Sequence, residues 1–176
     1  MIKAVFENSI YSDQETITCM IFPENDFRCR KKNLIYSDNH ILNKISIEIY
    51  CENDLSFILP IANIIEILPD RTGFVVIYDK NPDKFSEAIS YPWFFEYPNN
   101  AAVYNADGSL RFQIKVTDNL DSDLYIMGFA QPSIEHPDKI SVIINSTTHP
   151  KYGFHQLYAV DPCSPQLIET KQQIRR

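Results

Sequence analysis

A chain of 176 residues that is 44% hydrophobic and 22% charged has too much apolar material for disorder and enough for one core, so a single domain over 1–176 is expected. Its formal charge of −7 argues against direct nucleic-acid binding, which draws on clustered Lys and Arg. The longest uncharged apolar run, LSFILPIANII, is broken by Pro60 and falls far short of the ~20 residues of a membrane helix.

In chain order, the opening MIKAVFENSI lacks the apolar stretch of a signal peptide. The four cysteines, Cys19, Cys29, Cys51 and Cys163, show no C-x-x-C spacing. Free thiols and a cytoplasmic location are therefore expected. The basic run Arg28 to Lys32 reads as a solvated turn or a charge-protected strand edge. In KISIEIYC, Ile45, Ile47 and Ile49 share one face, and Ser46, Glu48 and Tyr50 the other, the pattern of a strand covering a core on one side. IIEIL and GFVVIY, separated by PDRTG, predict a hairpin in which Pro69 presets the turn and Gly73 supplies permissive backbone.

NPDKFSEAI, with Asn81 as N-cap and Pro82 at the first helical position, predicts one short helix near residues 82–90. The aromatic stretch YPWFFEYPNN is expected to cross the core with Phe94 or Phe95 inward and Trp93 or Tyr97 at a rim. AAVYNADGSLRFQIKV predicts a hairpin closed by a two-residue Asp107-Gly108 turn, with Val103 facing Phe112, Ala101 facing Ile114 and Tyr104 across from Arg111. KISVIIN repeats the alternation with Ile140, Val142 and Ile144, and HQLYAVDPCSPQLIETK reads as strand, turn, strand. The fold class is mainly β: an antiparallel hairpin meander, arranged as partial propeller-like blades or as a two-sheet sandwich.

The glycines at 73, 108, 128 and 153 are spaced too widely for either glycine-rich phosphate cradle or for the G-x-S-x-G elbow, and no H-E-x-x-H occurs. His136, His149 and His155 with Cys163 lack zinc-ligand spacing. Asp118, Asp121 and Asp123 lack the glycine and glutamate of a calcium loop. No metal and no cofactor are expected. His155 is a candidate general base without a visible acidic partner, so a carboxylate- or His-dependent hydrolase is the rival reading, and a ligand-binding module a third.

Residues 45–70 and 116–138 each hold five acidic residues and no Lys or Arg. These stretches suggest an acidic face that steers a basic protein partner. The expected contacts are Asp118, Asp121 and Asp123, a second patch of Glu48, Glu52 and Asp54, and Trp93 and Tyr97 as aromatic anchors.

NAAVYNADGSLRFQIKV together with QLYAVDPCSPQLIE resembles the strand-turn-strand units of small bacterial immunity proteins encoded beside polymorphic toxins, including those of contact-dependent growth inhibition and Rhs systems. The resemblance implies a cytoplasmic, acidic, non-enzymatic protein that binds one cognate toxin, a nuclease domain by expectation, and neutralises it by occlusion.

Overall fold

The computed structural model describes residues 1–11, 16–23, 41–59, 64–80, 94–149 and 153–175. Twelve strands among them form three antiparallel four-stranded sheets. Sheet 1 contains β1 (Ile2–Tyr11), β2 (Thr16–Phe22), β3 (Ile41–Cys51) and β4 (Ser56–Leu59), in the order β2-β1-β3-β4. Sheet 2 is a plain meander of β5 (Ile64–Ile67), β6 (Gly73–Ile77), β7 (Ala101–Asn105) and β8 (Leu110–Gln113). Sheet 3 is a second meander of β9 (Leu124–Ala130), β10 (Ser141–Ser146), β11 (Phe154–Val160) and β12 (Leu167–Arg175).

Sheet 2 lies between the other two because β6 and β7 are apolar at both parities. Phe74, Val76, Tyr78, Ala102 and Tyr104 pack into one core with Ile2, Val5, Ile47, Ile49 and Leu59 of sheet 1. The alternate residues Val75, Ile77, Ala101 and Val103 pack into a second core with Ile126, Ile140, Val142 and Val160 of sheet 3. Near-continuous apolar runs are what strands covered on both faces require. The mainly β, hairpin-meander expectation therefore holds, while a two-sheet sandwich falls one sheet short. The segment read as a helix near 82–90 lies outside the described residues, as does Trp93.

Within the first core the Tyr78 and Tyr104 hydroxyls share a hydrogen bond, and Phe74 stacks on Tyr104 with ring centroids 5.4 Å apart. Phe95 is buried in the same core, with Phe94 packed against it, as the aromatic stretch led one to expect. Burial first, and then the neighbouring Tyr104, push the Tyr78 phenol far above its ordinary pKa.

The β7–β8 hairpin forms with Val103 opposite Phe112, but its turn is not the predicted one. Asn105 N–H bonds Ser109 O at 2.8 Å, which closes a three-residue loop with Gly108 left-handed at φ 84°. The extra residue is taken up by a register shift, so Tyr104 faces Leu110 and not Arg111. Arg111 instead donates to Asn105 Oδ1, Pro162 O and Thr72 O. In the β5–β6 hairpin the left-handed residue is Arg71, at φ 59°. Gly73 serves a different need from the one expected: a Cβ there would lie 2.0 Å from Tyr104 O.

Two polar residues that the sequence reading passed over tie distant segments together, Asn100 reaching β9 of sheet 3 and Asn99 the connection that follows β8. Asn100 is fully buried; its amide donates to Tyr78 O at 2.7 Å and Ile126 O at 3.0 Å, and its Oδ1 accepts from Ile126 N–H at 2.8 Å. Asn99 Oδ1 accepts from Val116 N–H at 2.7 Å and Thr117 N–H at 3.2 Å. One further expectation fails: Cys19 on β2 is disulfide-bonded, whereas Cys51 and Cys163 are free.

Candidate functional site

The alternation of β3 sends Ile47 and Ile49 into the first core and turns Glu48 and Tyr50 outward. Across the ladder, β1 presents Phe6 and Asn8, and β2 presents Thr18 and Met20, on the same outer face of sheet 1. These side chains line an open groove of about 780 Å³, with Lys3 and Asp54 also in its wall.

The polar part of the groove is a connected chain. Thr18 Oγ1 donates to Asn8 Oδ1, and the Asn8 amide donates to Ser46 Oγ at 2.9 Å and Glu48 Oε1 at 3.2 Å. Tyr50 O–H donates to Glu48 Oε2 at 2.8 Å. Both oxygens of Glu48 are thus held, which fixes where its charge is displayed. The hydrogen bond to Glu48 and the repulsion of its charge raise the Tyr50 pKa, with a smaller contribution from burial. Phe6 meets Tyr50 edge-to-face, at 5.3 Å and 85°.

Beyond the groove, apolar side chains are exposed around the β3–β4 turn, with Met1 and Leu55 bordering a separate hollow of about 240 Å³. Six large hydrophobic side chains are exposed among the described residues, and three of them, Tyr50, Leu55 and Ile58, belong to sheet 1 or its turn, with a fourth, Met1, immediately before β1. Glu52 and Asp54 are exposed in that turn, Asp54 with left-handed backbone at φ 60°. One sheet therefore displays acidic and apolar groups together, the mixture that marks protein-contact surfaces.

The other expected contacts fall elsewhere. Asp118, Asp121 and Asp123 lie on the loop from β8 to β9. Asp118 pairs with Lys115 at 3.2 Å, and Asp121 is exposed. Asp123 accepts hydrogen bonds from Ser146 Oγ at 2.5 Å and from Thr148 Oγ1, fastening the β10–β11 turn. Those two bonds hold its pKa below the ordinary carboxylate value. Tyr97 is near this loop, stacked on Tyr125 at 4.6 Å, and half-buried. The two acidic groups thus belong to different sheets.

Among the described residues no group of three or more His, Cys, Asp or Glu could hold a metal ion. His155 is only 3% exposed, and its Nδ1 has no hydrogen-bond partner, so a substrate arriving from solvent does not meet it. No helix among the described residues is long and apolar enough to cross a membrane. The pairing of Asn8 with Glu48, 40 residues apart, could not be foreseen from local pattern. The outward parity of Glu48 and Tyr50 could, from the alternation alone. No protein-family model, curated protein or solved structure matches the chain.

Proposed function

We propose that this chain is a binding protein that recognises a protein partner through the outer face of sheet 1, and that it acts as an immunity protein by occluding a cognate toxin. The observation that carries the reading is the coincidence of exposed Tyr50, Leu55 and Ile58 with Glu48, Glu52 and Asp54 on that sheet. Apolar groups of this kind supply affinity at an interface core. Acidic groups at its rim attract a basic partner and reject acidic ones. A nuclease presents such a basic surface, because it must bind phosphates.

The place of action on this reading is the cytoplasm. The Cys19 bridge is open to reduction there. Cys19 is outside both core clusters and β2 is an edge strand, so this reading expects the three-sheet stack to survive loss of that bridge.

The test is co-expression with the protein encoded immediately upstream, scored by cell survival, followed by measurement of the purified pair. Protection and a stable complex are expected, with the off-rate raised at least about tenfold by Tyr50→Ala combined with Ile58→Ala. Absence of both binding and protection removes the reading. Full protection with an unchanged off-rate in the double variant moves the contact away from sheet 1.

A further inference from the structure

Strand β5 is one edge of sheet 2. Leu68 N–H bonds Gly73 O at 3.0 Å, and with the observed register this places Glu66 and Ile64 in the hydrogen-bonded pairs with β6. The backbone N–H and C=O groups of Ile65 and Ile67 consequently point away from the sheet. Among the described residues no strand pairs with them. An edge of this kind is a template for another strand.

A groove flanks β5 on each side. One, of about 320 Å³, lies between Ile65 and Ile67 and the residues Val5, Ile21 and Phe22 of sheet 1. The other, of about 510 Å³, lies between β5 and Phe129, Pro137 and Ile140. Glu66 borders both. Its carboxylate reaches solvent, yet the surrounding protein desolvates it enough to raise its pKa. No Lys or Arg among the described residues forms an ion pair with it; Lys139 shares the larger groove without reaching that distance.

We propose that β5 is a strand-accepting edge: an extended segment of a partner protein, apolar at alternate positions with Lys or Arg between them, adds to sheet 2 beside Ile64–Ile67. Side chains of an added strand alternate between its two faces. One parity enters the groove beside the side chains of Ile65 and Ile67, and the other meets Glu66. Main-chain hydrogen bonds give affinity and the two grooves give sequence preference, as in strand addition generally. This rests on the protein-binding reading above, though not on sheet 1 as the surface nor on the partner being a toxin.

The probe is a capped heptapeptide of alternating valine and lysine, titrated into the full chain, with amide hydrogen exchange as the readout. Alternating valine and glutamate is the control. Exchange at Ile65 and Ile67 should slow about tenfold or more with the lysine peptide and not with the control. Glu66→Gln should weaken binding about tenfold. Ile67→Pro removes an outward N–H without touching a bond to β6, so it should abolish binding while β6 and β7 stay protected. Unchanged exchange at Ile65 and Ile67, equal binding of the control, or full binding by Ile67→Pro would each overturn the proposal. Peptide binding without protection of cells supports this edge and removes only the immunity reading; protection with an inert edge removes only this proposal.

Discussion

Strands β3 and β6 are both interior strands of four-stranded sheets, yet one builds a surface and the other a scaffold. In β6 all five residues, Gly73–Ile77, are buried, because sheet 1 covers one parity and sheet 3 the other. In β3, Ile47 and Ile49 are buried while Glu48 is half-buried and Tyr50 exposed. Both are hydrogen-bonded to antiparallel neighbours on either side. The difference is whether the second parity is apolar, and that alone decides whether another layer can be stacked there. Substituting on each parity in turn tests how far the division runs.

The largest effect belongs to the doubly covered strand. Gly73→Ala drives a Cβ into the Tyr104 carbonyl, 2.0 Å away, and neither backbone can yield within a covered sheet. Destabilisation of about 4 kcal/mol or more is expected, read as a shift of the urea midpoint. Ile49→Ala removes a fully buried side chain from the sheet 1 core and should cost about 3 kcal/mol. Asn100→Ala leaves Tyr78 O, Ile126 O and Ile126 N–H without their partner. A loss of about 2 kcal/mol should follow, with hydrogen exchange at Ile126 accelerated ahead of β3. On the outer parity of sheet 1, Ile58→Ala changes a side chain that is 59% exposed, and stability should move by less than about 0.5 kcal/mol. A cost comparable to that of Ile49→Ala would show that something covers this face.

The smallest effect is a dependence on pH. Glu66 has its folded pKa raised by burial from the ordinary 4.5. Between the unfolded and folded values the native state binds the extra proton, so stability falls as pH rises through that window. Glu66→Gln should therefore be slightly more stable than the parent at neutral pH, with the gap closing below about pH 4.5. A gap that widened on acidification would reverse the sign and place a cation beside the carboxylate. The same substitution is expected to weaken peptide binding, so one variant separates the stability of this edge from its use.

Much of this architecture could be read from local pattern. The alternation around Ile47 and Ile49, the hairpin of β5 and β6, and the Val103–Phe112 pair are consequences of side-chain period and turn chemistry within a few residues. What escaped depends on distant partners. Asp107-Gly108 looked like a two-residue turn because nothing local marks the extra residue at Arg111, whose guanidinium is drawn to Pro162 O and Thr72 O. Asn99 and Asn100 carry no local signal, because their partners Tyr78, Val116 and Ile126 are distant in the chain. Asp123 was read as a docking charge on the strength of its acidic neighbours, yet it is tied to Ser146 and Thr148 of another turn. Glu48 was included for its charge, whereas its placement comes from Asn8 and Tyr50.

The hydroxyl pair of Tyr78 and Tyr104 gives this molecule an optical handle on its own opening. Burial lifts the Tyr78 phenol well above its ordinary value of 10.0, which disfavours its ionisation within the intact core. The phenolate absorbance of that ring is therefore expected to grow as sheets 1 and 2 separate. Once the unfolded phenol ionises, each further unit of pH withdraws about 1.4 kcal/mol from the folded state through this one group. In strong alkali the Tyr78 share of the tyrosine absorbance rise therefore reports the parting of two sheets, and a Tyr78→Phe variant separates it from the late ionisation of Tyr50, which Glu48 also holds up.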